Sequence, residues 1–341
     1  MIRIGVIGYG YWGPKLTRNF IEAPGATVAA VCDRNAGRLA AARERYPAVD
    51  VMTDGAELIG RSDVDAVVIA TPVSTHFELA RQALRAGKHV LVEKPLAASS
   101  GEARKLIDEA AARRLALMVD HTFIYTGSVR KIRELIGADH LGEILYFDST
   151  RVNLGLFQPD VNVIWDLAVH DLAIMEHLLP ARPHLVSATG LSHIPNGAEN
   201  IAHITLFFNA NTIGHVSVNW LAPVKVRQTL IGGSRKMIVY DDVEPSEKIK
   251  VYDKGISVNH DADSENVYKL LVGYRIGDVW CPNFDRTEAL RTEALHFIDC
   301  VANGVTPLTG GLAGLRVVQI LEAATESMRL RGQPVEIAAG E

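Results

Sequence analysis

Hydrophobic positions in the first third of the chain come as short continuous runs, separated by stretches in which apolar and charged residues recur at helical spacing. The runs at 2–7, 28–32, 66–70, 89–92 and 115–119 are rich in aliphatic and β-branched residues and have the length of buried strands. Alanine- and arginine-rich segments at 36–46, 75–86 and 100–113 predict the helices between them. Regular alternation of this kind predicts a doubly wound, parallel α/β sheet over residues 1–121.

Beyond residue 121 the rhythm changes. Helices are expected at 127–136 and 163–179, with a strand at 143–151 between them. Six β-rich runs then follow, at 184–191, 201–208, 212–220, 226–231, 236–240 and 249–252, with turn signals at Asn196-Gly197, Asn209-Ala-Asn211 and Gly232-Gly233. Successive hairpins predict a mostly antiparallel open sheet in a second, α+β domain over residues 122–341. An open sheet needs cover on both faces, so helices are expected on one and a second subunit on the other, giving a homodimer or homotetramer. Residues 253–285, with Asp261-Ala-Asp-Ser-Glu265 and the aromatics Tyr268, Tyr274, Trp280 and Phe284, read as a long loop. The C-terminus returns to helix at 287–301 and about 312–330, and these last helices can pack back on the first domain.

The first strand leads into Gly8-Tyr-Gly-Tyr-Trp-Gly13, a G-x-G-x-x-G in strand–turn–helix context, with Pro14 just inside the helix. Gly8 suits a tight turn, Gly10 the approach of a pyrophosphate, and Gly13 close packing of helix on strand. Asp33 follows the second strand twenty positions beyond Gly13, where an acid accepts hydrogen bonds from an adenosine ribose. That makes NAD the expected cofactor. Arg34 keeps NADP open, because it can pair with a 2′-phosphate. Thr71-Pro72, His76 and Glu93-Lys94-Pro95 also follow strands, at the rim where doubly wound sheets bind ligands.

Composition narrows the partners. The chain of 341 residues is 48% hydrophobic and 22% charged with a formal net charge of −5, which gives no reason to expect nucleic acid or an anionic membrane. No apolar run approaches a membrane span, and the chain reads as cytoplasmic. Three scattered cysteines, Cys32, Cys281 and Cys300, suggest neither a disulfide framework nor a zinc knuckle.

Two places carry candidate chemistry. Pro95 keeps Lys94 extended at a strand end, where an ammonium can bind a hydroxyl and lower its pKa; the competing reading is a surface lysine before a turn. In Ile164-Trp-Asp-Leu-Ala-Val-His-Asp171, Asp166 and His170 are i and i+4 on the expected helix, so the carboxylate can orient the imidazole as a general base. The competing readings are a surface ion pair or a satisfied core histidine. His177 shares the face, yet no metal-ligand set accompanies it and no metal is expected.

G-x-G-Y-W-G, Asp33, A-T-P-x-x-x-H from Ala70 to His76, E-K-P and D-x-x-x-H-D together, in this order and spacing, resemble the glucose–fructose oxidoreductase, inositol dehydrogenase and rhizopine catabolism (Gfo/Idh/MocA) family over essentially the whole chain. The resemblance implies an N-terminal Rossmann domain, a C-terminal α/β domain whose open sheet builds oligomers, and NAD(P)-dependent oxidation or reduction at a sugar or cyclitol hydroxyl. It implies a catalytic set of Lys94, Asp166 and His170. The cofactor is expected to meet Gly8, Gly10, Tyr11, Trp12, Gly13, Asp33, Arg34, Thr71, Pro72, His76, Glu93 and Lys94. Tyr125, Arg151 and Asn153 are expected to join Lys94, Asp166 and His170 around the substrate. Pro159-Asp-Val-Asn-Val-Ile-Trp165 departs from the glycine-rich lead-in of many members. Together with Tyr-Trp-Gly-Pro and His121-Thr-Phe-Ile-Tyr125, it tilts the expected substrate towards sugars and nucleotide-sugars. Two other readings stand beside this one: an enzyme that recycles a tightly held cofactor, and a dinucleotide-binding sensor without catalysis. The sensor has no use for a proton-transfer set.

Overall fold

The computed structural model describes residues 1–155, 161–195, 197–209, 211–258 and 272–338. Pro159-Asp160, Asn196, Ala210, 261–265 and Tyr268, singled out above, lie outside them. The chain forms two compact units, Met1–Thr126 with Thr287–Glu322, and Gly127–Arg286 with Ala323–Glu341.

In the first unit β1 (Ile2–Ile7), α1 (Gly13–Glu22), β2 (Ala26–Cys32), α2 (Ala36–Arg45), β3 (Asp50–Met52), α3 (Gly55–Gly60), β4 (Ala66–Ile69), α4 (His76–Arg85), β5 (His89–Glu93), α5 (Ser100–Arg113) and β6 (Leu117–Asp120) follow in order. The strands pair in parallel as β3-β2-β1-β4-β5-β6. Chain order reverses between β1 and β4, and the carboxyl ends there form the crevice in which such sheets bind ligands. β4 is buried along its whole length, as a strand covered on both faces must be. β3 and α3 escaped the sequence pattern, being three and six residues long and too short to show a period. The helix α8 (Ala289–Asn303) belongs to this unit and packs on α1, with Phe297 edge-on to Phe20 at 6.0 Å.

The second unit is built on a nine-stranded sheet. Its strands are β7 (Ile144–Leu154), β8 (Pro183–Leu191), β9 (Ile201–Phe208), β10 (Ile213–Asn219), β11 (Leu221–Gly233), β12 (Met237–Asp241), β13 (Ile249–Tyr252), β16 (Val279–Trp280) and β17 (Val335–Glu336). The order is β16-β13-β12-β11-β7-β10-β9-β8-β17, antiparallel except for β10 on β7. Within the stretch read as a loop, β14 (Gly255–Val258) and β15 (Val272–Arg275) pair as a separate hairpin ladder. Pairing puts Tyr146, Ile213, Phe207 and Leu185 in one row across β7, β10, β9 and β8, and Phe147, Gly214, Leu206 and Val186 in the next. Phe147, Leu206 and Val186 are fully buried, whereas Ile213 is 36% exposed. One face is therefore core and the other is open, as a period of two requires. α6 (Gly127–Gly137) and α7 (Val169–Leu178) cover the core face, α7 lying on β7. The final helix is α9 (Gly311–Arg329). Among the described residues no helix is long and apolar enough to cross a membrane.

A buried ion pair fixes α7 to the sheet. Arg151 of β7 donates from Nε to Asp171 Oδ2 at 2.7 Å and from Nη2 to Oδ1 at 3.1 Å, and Ser149 Oγ donates to Oδ1 at 2.8 Å. Both charged side chains are 3% exposed, so the pair is held together by the low dielectric around it. Arg151→Met leaves the Asp171 carboxylate buried without its counter-charge and is expected to destabilise this unit by about 3–5 kcal/mol in urea unfolding; a loss below about 1 kcal/mol would mean that the pair does not hold the helix.

Candidate functional site

The three glycines of the turn between β1 and α1 are required for three different reasons. Gly8 has φ +97°, and a Cβ there would lie 2.4 Å from the carbonyl oxygen of Ala70. A Cβ on Gly13 would lie 2.1 Å from the Gly8 carbonyl oxygen, so α1 can approach the turn only without a side chain. Around Gly10 the nearest such atom is Arg38 Nη1, at 3.7 Å. Among the described residues no atom demands glycine there, and the space is what a pyrophosphate would need.

Asp33, 8% exposed, closes β2. Its Oδ2 accepts from the Tyr9 amide at 2.7 Å and its Oδ1 from the Asn35 amide at 2.8 Å, which aims the carboxylate at the turn. Arg34 is exposed. Arg38, which sequence reasoning missed, stands 3.4 Å from Asp33 Oδ2 and borders the space at Gly10. Tyr11, 74% exposed, packs edge-on to Trp12 at 5.2 Å, and the Lys15 ammonium lies 3.6 Å from the Tyr11 ring centre and 4.2 Å from that of Trp12. The cation and both faces define the outer wall of the turn; Lys15 was also missed, for nothing in its spacing marks it.

At the neighbouring strand ends, Thr71 Oγ1 lies 2.7 Å from Thr75 Oγ1, and Thr75 Oγ1 donates to the Pro72 carbonyl at 2.7 Å. His76 is 1% exposed, with one ring nitrogen 2.8 Å from the Pro95 carbonyl and the other 2.8 Å from that of Thr71. The imidazole thus ties the loop after β4 to the cis Lys94–Pro95 turn after β5, a bracing position for Lys94. Glu93 is 7% exposed and accepts from the Lys94 amide at 3.2 Å. Tyr125 is 2% exposed, with its hydroxyl 3.1 Å from Thr309 Oγ1, so it belongs to the interior of the first unit.

In the second unit, the expected α-helix over 163–179 differs in its first turn. Residues Ile164–Ala168 form a π turn, and the regular helix α7 begins at Val169. Asp166 lies in the wider turn and His170 in the first turn of α7, and both are half-buried. Such insertions are frequent at functional sites, because they re-aim a side chain without breaking the helix. Asp166 Oδ2 accepts from the indole Nε1 of Trp220 at 3.0 Å, and Trp220 is 1% exposed, so the carboxylate is fixed by a residue from beyond β10. Asn162 precedes the turn, its Oδ1 accepting from the Trp165 amide at 3.3 Å and its Nδ2 donating to Glu199 at 3.0 Å. Burial and the Arg133 charge push the His177 imidazole down to about 4, which keeps it neutral. Arg151 is engaged by Asp171, as described above, while Asn153 is half-exposed further along β7. Among the described residues no three histidine, cysteine or acidic side chains are arranged to hold a metal ion.

Comparison with known proteins matches both units. Residues 2–121 match the oxidoreductase family, NAD-binding Rossmann fold, and residues 133–337 match the C-terminal alpha/beta domain of the same family. The chain is 29% identical over 325 residues to the UDP-N-acetylglucosamine 3-dehydrogenase of Acidithiobacillus ferrooxidans, covering 93% of this chain and 94% of that one. It is 25% identical to the myo-inositol 2-dehydrogenase of Thermotoga maritima, covering 96% of each. The solved structure of the Acidithiobacillus enzyme superimposes with a TM-score of 0.80 at 26% identity, over 96% of this chain and 98% of that one. With both domain models matched in order on a six-stranded dinucleotide sheet and an open antiparallel one, the chain belongs to the Gfo/Idh/MocA family of oxidoreductases.

Proposed function

We propose that this enzyme uses NAD to oxidise, or NADH to reduce, a carbon bearing a hydroxyl or keto group on a sugar, most closely a nucleotide-sugar. The observation that carries the cofactor half is the open space at Gly10, beside an oriented Asp33 and between two glycines that the fold itself needs. The substrate class rests on the full-length similarity to a UDP-N-acetylglucosamine dehydrogenase. Gly8, Gly10 and Gly13 would receive the pyrophosphate, and Asp33 the hydroxyls of the adenosine ribose, which disfavours a 2′-phosphate in spite of Arg34 and Arg38. The nicotinamide, when bound, supplies the hydride acceptor or donor. His170, oriented by Asp166, takes the hydroxyl proton at an imidazole nitrogen, and the role of the Lys94 ammonium is to donate to a substrate oxygen and stabilise its developing charge. Trp220 and Arg151 act behind this set, the first by fixing Asp166 and the second by fixing Asp171 next to His170.

Removal of either proton-handling group is expected to lower kcat by about 10²–10⁴-fold in Lys94→Ala and His170→Ala, assayed with UDP-sugars, free sugars and cyclitols by absorbance of the reduced nicotinamide. Wild-type turnover in His170→Ala with a substrate from that panel refutes the role given to it. For the cofactor, Gly10→Ala is expected to keep the wild-type melting temperature and to weaken NAD binding by roughly tenfold or more, whereas Gly13→Ala lowers the melting temperature. NAD is expected to bind more tightly than NADP in titration calorimetry, and the opposite order would overturn the role of Asp33.

The open face of the nine-stranded sheet presents Tyr146, Ile213, Phe207 and Leu185 in register, a row suited to a second copy of the chain. A homodimer or homotetramer is expected in sedimentation, with Ile213→Glu shifting it towards monomer; a monomeric wild-type protein at micromolar concentration would exclude that use of the face.

A further inference from the structure

Behind Lys94 the first unit buries three carboxyl groups from three elements. Glu93 ends β5, Asp120 ends β6 and Glu293 projects from α8; they are 7%, 2% and 1% exposed. Asp120 lies within hydrogen-bonding reach of both glutamates. Its Oδ1 accepts the hydroxyl proton of Thr122, and the Lys94 amide donates to Glu93 Oε2. By hydrogen-bond geometry Glu93 Oε1, Asp120 Oδ2 and both oxygens of Glu293 have no partner among the described residues, while the Thr122 hydroxyl, engaged by Asp120, also acts on Glu293. Carboxylates cannot face each other in this way without a proton between them. The arrangement has two such contacts, Glu93 with Asp120 and Asp120 with Glu293, and each is satisfied by one proton.

Counting charge gives the same number. The Lys94 ammonium acts on both Glu93 and His121. His121, 2% exposed, is driven down to about 3 by burial and by Lys94, so it is neutral. Tyr125, facing Glu293 and Asp120, is pushed up by burial and stays a neutral phenol, and Cys300 and His296 behind it are neutral as well, each disfavoured as an ion by burial. Among the described residues one cation, Lys94, is therefore set against the three carboxyls, and two retained protons leave one negative charge beside it.

We propose that Glu93, Asp120 and Glu293 form a shared-proton site that holds two protons at neutral pH and uses its remaining negative charge to anchor the Lys94 ammonium. The three acids are positioning residues, acting on substrate only through Lys94, and in that respect the inference rests on the role proposed for Lys94. Burial, and the Asp120 charge beside each, hold Glu93 and Glu293 well above the usual carboxylate range, as the arrangement requires. Far apart in the chain and close in space, the acids share no sequence motif beyond the glutamate of E-K-P.

Infrared spectroscopy of the full-length protein without substrate tests this directly. At neutral pH the wild type should show the isotope-sensitive C=O stretch of two carboxylic acids per chain. Glu293→Gln and Glu93→Gln should each remove about half of that band. Lys94→Met takes away the counter-charge, so a third proton should bind and the band should grow by about half. Absence of the band in the wild type overturns the proposal, and the wild-type spectrum decides even where a variant fails to fold; an unchanged band in Lys94→Met overturns the anchoring. A melting series gives a second measure. Glutamates with raised folded values stabilise the fold fully below about pH 4.3, and that contribution is lost as pH rises towards those values. Glu93→Gln/Glu293→Gln should therefore lose less stability than wild type between about pH 5 and 9, and an equal loss contradicts the proton count. None of these readouts needs turnover: a missing band beside an inactive Lys94→Ala enzyme condemns the cluster alone, while a correct band beside a fully active Lys94→Ala enzyme condemns the catalytic role.

Discussion

The constraint on which the first unit's crevice depends is the approach of α1 to the end of β1, where a side chain on Gly13 would stand 2.1 Å from the Gly8 carbonyl. It brings the helix N-terminus over the strand end, leaves the backbone at Gly10 facing open space, and puts the Tyr9 amide 2.7 Å from the carboxylate of Asp33. Gly8, with its positive φ, turns the chain beneath Ala70, so the same turn also sets the spacing between β1 and β4.

The two units solve the problem of buried charge in opposite ways. In the second, Arg151 meets Asp171 in a two-point ion pair, and the carboxylate gains a further hydrogen bond from Ser149, so both charges are retained. Its value is geometric, because burying a pair yields little net stability yet fixes α7, and hence His170, against β7. In the first unit three acids converge on the region of a single lysine, and neutralisation by protons is the available answer. One site is rigid because its charges are matched, while the other keeps protons in store because they are not.

Two long-range hydrogen-bond systems then aim the proposed reacting groups. Trp220 holds Asp166 in the π turn, and His76 clamps the carbonyls of Thr71 and Pro95 on either side of the rim. Neither is adjacent in sequence to the group it serves.

The sequence alone determined the doubly wound sheet, the mostly antiparallel second sheet and the glycine turn with Asp33, because period and turn chemistry are local properties. It missed β3, α3 and β17, too short to express a period, and it read β14 to β16 as loop for the same reason. E-K-P and D-x-x-x-H-D were legible as candidate chemistry, but the surroundings of the side chains were not. For Arg151 and Tyr125, expected at the substrate, the fold supplies partners that no local pattern shows, Asp171 for the first and Thr309 for the second. The burial of Glu93, expected at the cofactor, beside Asp120 is likewise a matter of the fold. Arg38 and Lys15 carried no signal until α2 and α1 brought them to the turn. The π turn and the convergence of Glu93, Asp120 and Glu293 were decided only by tertiary packing, since charge and hydrogen bonding act through space between residues that no local pattern connects.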